Sequence, residues 1–309
     1  MTIIHIPHNS IDTVRWDKCI EQAINGCIFA YSWYLSHSCQ EWSALVNEDY
    51  SIVMPLPYSL FLGVKTLQNP AFSPFLGIFS SKPFNQSVIL NFISAIPKDF
   101  RHLNLILNKL NIDKNDSLSY FNNYEKAFEL DIIRSYPILQ KNYDSELKNK
   151  LINAEKTKVN IVSGIQLIDL LQLHMNNSDL SSLSLTDNKV KQLRNIGLNC
   201  LRNSSGELIG AYDNKNTLCA TALIVSSHNK AHLVFYAQNK FAIKNNVLEQ
   251  IIDFFIRKHS EKNITLSVFN NINKHINFGT FGSTSVKYPE LLINRLPIHL
   301  KPFKNLILH

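Results

Sequence analysis

The feature that most constrains the fold is a succession of short apolar segments and turns in the second half of the chain. Residues 207–212, 218–225 and 232–236 have strand composition, and a few turn-forming residues separate them. Such short connections join antiparallel neighbours, so these segments predict a three-stranded meander. An amphipathic helix over 246–259 and a further strand over 264–269 come next. This order predicts a mixed α/β sheet.

The first half of the chain predicts a second sheet with few helices. A helix with one apolar face is expected over 11–24, and another over 84–95. Pro and Gly residues punctuate the gaps between the apolar segments, which is typical of turns between strands. The predicted strands are 2–7, 42–47, 50–55, 64–68, 104–107 and 124–130.

A change of pattern marks the boundary between the halves. Strand character ends near residues 130–135, and the Lys- and Asn-rich stretch 136–158 predicts one long helix. Because 309 residues suit two domains better than one, we predict domains over 1–132 and 133–309.

The composition excludes several classes of protein. Hydrophobic residues make up 45% and charged residues 18%, which is the balance of a globular chain. The longest apolar runs fall short of the roughly 18–20 residues of a membrane span, and the N-terminus lacks the pattern of a secretion signal. The five cysteines form no Cys-x-x-Cys motif and are expected to be reduced core residues. We therefore expect a cytoplasmic protein without membrane insertion.

The charge balance leaves the partner open. With 31 Lys and Arg against 24 Asp and Glu, the formal charge of +7 suits an anionic partner such as a phosphorylated cofactor or RNA, and it also suits a compositional bias of the source genome. No DNA partner is predicted. A basic stretch is available to a tRNA-borne donor, although a solvated helix face is the favoured alternative. Its residues are Lys141, Lys148, Lys150, Lys156 and Lys158.

Several sequence motifs of enzymes are missing. The histidines show no spacing with Cys or Glu that is typical of metal ligands, so no metal is assigned. The glycine-rich motifs of nucleotide-binding loops and the Gly-x-Ser-x-Gly motif of serine hydrolases are also absent. These absences weaken interpretations as a nucleotidase, a dehydrogenase or a serine hydrolase.

Seven segments, in the same order, resemble a group of bacterial FemAB-like proteins of the GNAT (acyl-CoA N-acyltransferase) fold. The resemblance implies tandem GNAT-like domains of mixed α/β class. It also implies transfer of an acyl or aminoacyl group to an amine, in some relatives during peptidoglycan assembly. The acceptor would be a small molecule, a peptide or an amino sugar. The segments are 15–20 (RWDKCI), 31–35 (YSWYL), 53–56 (VMPL), 68–72 (QNPAF), 76–80 (LGIFS), 281–283 (FGS) and 294–297 (NRLP).

The resemblance also indicates a donor site. In GNAT enzymes, the loop after the fourth strand and the next helix N-terminus hold the pyrophosphate of acyl-CoA. The matching loop here, 237–246, has no glycine, so its side chains would have to hold the phosphate. A polar helix-capping loop is the favoured alternative. The predicted cofactor-binding residues are Tyr236, Gln238, Asn239, Lys240, Lys244, Asn245 and Asn246, and the predicted substrate-cleft residues on the last strand are Tyr288 and Arg295.

Three departures from the group concern the chemistry itself. Its acidic segment on the fifth strand falls on 267–271 (SVFNN), which has no carboxylate, and Phe278 stands where the group has a tyrosine. The Lys- and Arg-rich helix of the group is eroded at 143–150. The nearest acidic residues, Glu249 and Asp253, are expected on the solvated face of their helix. No catalytic residue is assigned, and the choice between a transferase and a catalytically silent binding or scaffold protein stays open.

Overall fold

The computed structural model describes residues 1–61, 63–111, 121, 123–270 and 275–296. The chain divides into two compact units: unit 1 comprises Met1–Glu125 and Lys287–His309, and unit 2 comprises Lys126–Val286. The division at Glu125 precedes the predicted boundary after residue 132. The segment from Lys287 onwards also falls in unit 1, whereas the prediction assigned it to the second domain.

The described helices are mostly short, and their bounds agree with the predicted ones where an apolar face repeats at the helical period. Within the described part of the chain they are α1 (Thr13–Gln22), α2 (Ser32–Ser38), α3 (Gln86–Ser94), α4 (Tyr136–Lys141), α5 (Ser145–Glu155), α6 (Leu167–Asn176), α7 (Asp187–Arg202), α8 (Lys240–Lys244) and α9 (Val247–His259).

Most strands overlap the predicted segments. In chain order they are β1 (Ile3–Pro7), β2 (Glu41–Asn47), β3 (Ile52–Phe61), β4 (Val64–Gln68), β5 (Phe79–Ser80), β6 (Phe100–Ile106), β7 (Asn123–Asp131), β8 (Asn160–Ser163), β9 (Gly206–Tyr212), β10 (Leu218–Ser227), β11 (Lys230–Gln238), β12 (Thr265–Phe269) and β13 (Thr284–Asn294). However, β3 runs to Phe61 beyond the predicted end at residue 55, and β6 begins at Phe100 before the predicted start at residue 104.

The sheet of unit 1 has the order β1-β2-β3-β4-β6-β13. β4 and β6 are parallel, and the other neighbours are antiparallel. Glu290–Asn294 of β13 pair with Ile106–His102 of β6, which explains why the C-terminal segment belongs to this unit. The α3 helix packs its buried face, Ile89, Phe92 and Ile93, into the core beneath this sheet.

The sheet of unit 2 has the order β7-β12-β11-β10-β9-β8. β11 and β12 are parallel, and the other neighbours are antiparallel. The α9 helix buries the apolar face that the sequence predicts, including Val247, Ile251 and Phe255, against one side of this sheet. The predicted class, a mixed α/β sheet, is confirmed.

The prediction of one long helix over 136–158 is wrong, because α4 ends at Lys141 and α5 begins at Ser145. Asp144 causes the break. Its side chain accepts a hydrogen bond from the Leu147 N–H at 2.8 Å, which caps α5, and its own N–H donates to the Thr280 carbonyl at 2.9 Å. The helical composition of the stretch is correct, but the cap interrupts it.

Glu207 of β9 fixes the C-terminal end of α9. Its carboxylate accepts hydrogen bonds from His259 Nε2 at 2.7 Å, Lys258 Nζ at 2.8 Å and Ser163 Oγ at 3.0 Å. Burial by itself raises the pKa of Glu207, but the hydrogen bonds from His259 and Lys258 outweigh that effect and lower the pKa to about 2. The ionised carboxylate therefore stabilises the folded state.

Glu207→Gln should lower the free energy of unfolding by about 1 kcal/mol at pH 7, a value discounted for the partial exposure of the group. Because the folded-state pKa lies below the unfolded one, this contribution is complete above about pH 4.5 and is lost as the pH falls towards 2. Urea unfolding between pH 7 and pH 3.5 measures it. Glu155→Gln, an exposed carboxylate on α5, is the control; equal effects of both variants at pH 7 would contradict the assignment.

Candidate functional site

The parallel strands β11 and β12 stop pairing partway along their length. Lys230 pairs with Thr265, Ala231 with Leu266 and His232 with Ser267, and the register ends there. β11 runs on to Gln238, paired to β10 on its other side. We call the region between residues 233–238 of β11 and residues 268–269 of β12 the strand opening.

A β-bulge lies at the start of the strand opening. Leu233 pairs with Ile224 and Phe235 pairs with Leu223, so Val234 is the extra residue of β11. A bulge bends its strand and increases the local twist, and bulges occur frequently beside functional sites. Here the bend follows directly after the last pair that joins β11 to β12.

Three polar side chains share one face of the sheet at the last paired position. Ser267 lies opposite His232 of β11 on one side and Glu129 of β7 on the other. Residues paired in this way point their side chains to the same face. His232 and Ser267 are 2% and 1% exposed, and Ser267 Oγ has no hydrogen-bond partner among the residues that the structure describes.

Sequence reasoning missed this polar row. The predicted loss of carboxylates from the fifth-strand segment holds for residues 267–270, and Asn271 lies outside the described residues. A carboxylate nevertheless reaches the same sheet position from Glu129. Only the pairing of β7 with β12 reveals this neighbour, and no local sequence pattern encodes that pairing.

The opposite face of the strand opening carries an exposed histidine. The ring of Tyr236, which is fully buried, meets the ring of His275 edge-on, with 6.3 Å between the ring centroids. His275 is open to solvent. Phe278, the residue without the hydroxyl, is buried and stacks on Phe281 at 5.3 Å, so it belongs to the core. His275 therefore places an imidazole beside the strand opening, and sequence reasoning also missed this residue.

The predicted cofactor-binding residues lead from the strand opening to α9. Tyr236 and Gln238 are buried on β11, and Lys240 and Lys244 are exposed at the two ends of α8. The Asn239 side chain accepts a hydrogen bond from the Ala242 N–H at 3.0 Å and caps α8. The remaining two residues, Asn245 and Asn246, are half-buried between α8 and α9.

A carboxylate occupies the first turn of α9. Glu249 is 7% exposed, it accepts a hydrogen bond from its own backbone N–H, and Lys150 Nζ lies 3.6 Å away. Burial raises its pKa, and Lys150 opposes the shift. Negative charge near a helix N-terminus competes with a phosphate for the same positive end of the dipole. The start of α9 is therefore a poor site for a pyrophosphate.

Asp253, one turn further along α9, is also buried. Its carboxylate accepts hydrogen bonds from the Tyr136 hydroxyl at 2.9 and 3.0 Å, from the Tyr143 hydroxyl at 2.9 Å and from Arg257 at 3.3 Å. Burial raises the pKa of Asp253 and that of Tyr143. The prediction that Glu249 and Asp253 lie on a solvated face is wrong, because α4 and α5 cover that side of α9.

Two adjoining cavities lie near this network, the smaller between α4, α5 and α9 and the larger between α4 and α5. Their volumes are about 140 and 350 Å³, and Gln140, Leu151 and Glu155 line both. None of the predicted cofactor-binding residues lines either cavity. The two cavities therefore lie apart from the predicted cofactor-binding residues.

The two predicted substrate-cleft residues belong to unit 1. The ring of Tyr288 is fully buried against Phe75, with 4.9 Å between the centroids. Arg295 Nη1 donates to the carbonyls of Ile96 at 3.4 Å and Pro97 at 3.2 Å. Both side chains thus have packing roles within their unit, and their role in a cleft stays a prediction. The last residue of the NRLP segment, Pro297, lies outside the described residues.

The cysteines are buried or half-buried in the fold. Cys19, Cys27, Cys200 and Cys219 are buried, and Cys39 is half-buried. Burial raises the pKa of Cys19 and Cys219 to about 11 and that of Cys39 and Cys200 to about 12. Since the thiolate is the nucleophile, these four groups are unsuited to nucleophilic catalysis at neutral pH.

Over the described ranges, no group of three or more His, Cys, Asp or Glu side chains is arranged to hold a metal ion. A search of the same ranges for a helix long and apolar enough to span a membrane also finds none.

No protein-family model matches the chain, and no curated protein matches it. Solved structures do. FemX has a TM-score of 0.59 at 11% identity, with 100% of both chains covered. L-PGS from Bacillus licheniformis has a TM-score of 0.57 at 10% identity, covering 96% of this chain and 95% of that one. A tandem GNAT protein from the clavulanic acid biosynthesis pathway has a TM-score of 0.52 at 10% identity, covering 96% and 99%.

Identities this low establish the fold alone. The chain has the tandem GNAT-type fold that these proteins share, and the resemblance to FemAB-like GNAT proteins is confirmed at that level.

Proposed function

We propose that the protein is a cytoplasmic acyl- or aminoacyl-transferase of the FemAB/GNAT type, which transfers an acyl group to an amine at the strand opening of unit 2. The observation that carries the proposal is the end of parallel pairing at His232 and Ser267, with polar side chains gathered at that point. We also propose that units 1 and 2 correspond to the two GNAT-like domains.

The chemistry needs a group that removes a proton from the acceptor amine. The amine nitrogen attacks the donor's carbonyl carbon, so a C–N bond forms and the bond to the leaving sulfur or oxygen breaks. In the proposal, His275 accepts the amine proton, which then passes to the leaving group. Its exposure beside Tyr236 suits contact with an incoming acceptor. The acceptor is an amine on a small molecule, a peptide or an amino sugar.

The charges around α8 and α9 bear on where the phosphate groups of the donor bind. Lys240 and Lys244 are exposed and free to meet phosphate groups of acyl-CoA or of tRNA. Glu249 opposes a pyrophosphate at the first turn of α9. A donor that places its phosphates over α8 fits these charges better than one that places them on the α9 amides.

Calorimetric titration with CoA and acetyl-CoA tests the thioester form of the proposal. Changing both Lys240 and Lys244 to Ala should weaken saturable binding by about tenfold, since two charge-assisted contacts together are worth at least about 1.4 kcal/mol. The matched control changes Lys156 and Lys158, both exposed lysines near the end of α5, to Ala. Equal weakening by the two double variants would contradict a site at α8, and an absence of binding at millimolar ligand would eliminate acyl-CoA as the donor.

The alternative is a catalytically silent binding or scaffold protein with the same fold. One observation favours it: the backbone of Tyr236, inside the strand opening, is already hydrogen-bonded to Ser182. The segment 267–270 without carboxylates agrees with this alternative. A silent protein would bind neither donor and would transfer nothing.

A further inference from the structure

Ser182 occupies the free edge of β11. Its backbone N–H donates to the Tyr236 carbonyl at 3.0 Å, and its Oγ accepts a hydrogen bond from the Tyr236 N–H at 3.1 Å. Both residues are fully buried. A residue of an added strand would offer one N–H and one carbonyl oxygen to the same two groups. Ser182 imitates that residue, with its hydroxyl in place of the carbonyl oxygen.

Ser182 belongs to the segment 181–186, which joins the turn Ser178–Leu180 to α7 and which we call the closure loop. The loop is fixed where it leaves α6. His174 Nδ1 lies 2.9 Å from Ser181 Oγ, which in turn donates to the Asn177 carbonyl at 3.2 Å. Towards α7 the loop is open to solvent at Ser184 and Thr186. It is thus anchored at one end and exposed at the other.

The next residue along the same edge, Gln238, carries a side-chain donor that has no partner among the described residues. Gln238 lies two residues beyond Tyr236, and residues two apart in a strand point their backbone groups to the same side. Its side chain is 2% exposed, and Nε2 has no acceptor among the described residues. Buried donors normally have partners, and none of the described residues supplies an oxygen atom to this one.

From these contacts we infer that the closure loop is a reversible plug, and that Ser182 leaves β11 when an extended ligand chain bearing amide groups pairs with Tyr236. The ligand's N–H and C=O take over the two Tyr236 bonds, and one of its oxygens accepts from Gln238 Nε2. The inference rests on the proposed function, because it concerns the donor and acceptor edge of the same strand opening. A pantetheine arm and a peptide both carry such amide groups.

The first test needs no ligand and measures hydrogen exchange of single amides by NMR. Ser182→Ala removes the acceptor of the Tyr236 N–H, so exchange at Tyr236 should become about tenfold faster. The Ala237 amide, which points towards β10, should keep its wild-type rate. Ser184→Ala, a change at an exposed serine of the same loop, is the control and should alter neither amide. If hydrogen exchange of the Tyr236 amide is the same in Ser182→Ala as in the wild type, the inference that Ser182 plugs this edge is wrong.

The second test adds the two sources of amide groups separately: pantetheine, and a dipeptide blocked at both ends. Ligand binding at the edge should release the Ser182 N–H and leave the Tyr236 N–H hydrogen-bonded to the ligand. Hydrogen exchange of the Ser182 amide should then become about tenfold faster, while exchange of the Tyr236 amide stays slow. The compound that speeds hydrogen exchange at Ser182 identifies the chemical class of the ligand. If millimolar amounts of both leave Ser182 unchanged, the edge is no ligand site and the inference fails. Transfer of an acyl group is assayed independently, so transfer without the change at Ser182 would reject the plug and keep the proposed function.

Discussion

His275→Ala should reduce the rate of acyl transfer by about 100-fold or more, because a positioned general base contributes roughly 10²- to 10⁴-fold. The side chain is exposed, so its loss should leave folding intact. The measurement is the initial rate of transfer to an amine at saturating donor, together with the thermal unfolding midpoint of both proteins.

The matched control for this variant is His37→Ala, a half-buried histidine on α2 in unit 1. It should retain the wild-type rate. A rate for His275→Ala within a factor of three of the wild type would show that another group accepts the proton. The row of His232, Ser267 and the half-buried Glu129 would then be the next group to test.

Asp253→Ala should lower the free energy of unfolding by about 2–3 kcal/mol, the second large effect that we expect. The change removes the acceptor of the buried Tyr143 hydroxyl and of the half-buried Tyr136 hydroxyl, and it leaves Arg257 without its carboxylate. A buried hydroxyl without a hydrogen-bond partner destabilises the folded state by the full free energy of its desolvation. Urea unfolding of the whole chain, followed by far-UV circular dichroism, measures the loss.

Two companion variants separate the network from the charge. Tyr143→Phe removes one hydrogen bond and no charge, so its loss should be smaller than that of Asp253→Ala. Asp253→Asn keeps an acceptor oxygen and should fall between the two. If Asp253→Ala unfolds at the wild-type urea concentration, the buried carboxylate does not hold α9 against α4 and the interpretation of this network is wrong.

The sequence predicts the meander of unit 2 and α9 well, since both depend on patterns within a few residues of one another. The apolar face of α9, with Val247 and Ile251, repeats at the helical period, and short turns at 213–216 and 226–230 join the strands. Local chemistry also predicts that the loop after Tyr236 caps a helix, as Asn239 does. It does not predict that the capped helix is the short α8, which precedes α9 in the chain.

The features that were not predicted depend on contacts distant in the chain. Glu249 and Asp253 look like residues of a solvated face until α4 and α5 are placed over them. Glu129 joins the row at Ser267 only through pairing of β7 with β12. Ser182 reaches Tyr236 from a loop that carries no motif of its own. Helical periodicity and turn composition contain no information about such pairs.

The most direct test of the central claim supplies the purified protein with two labelled donors in parallel, acetyl-CoA and a pool of aminoacylated tRNA, and with a lysine-containing peptide and glucosamine as acceptors. We predict that one donor places its label on an amine at a rate above that of the donor and acceptor without protein. If neither donor labels an amine, the account of the strand opening as a transferase site is contradicted, and the silent binding protein becomes the interpretation.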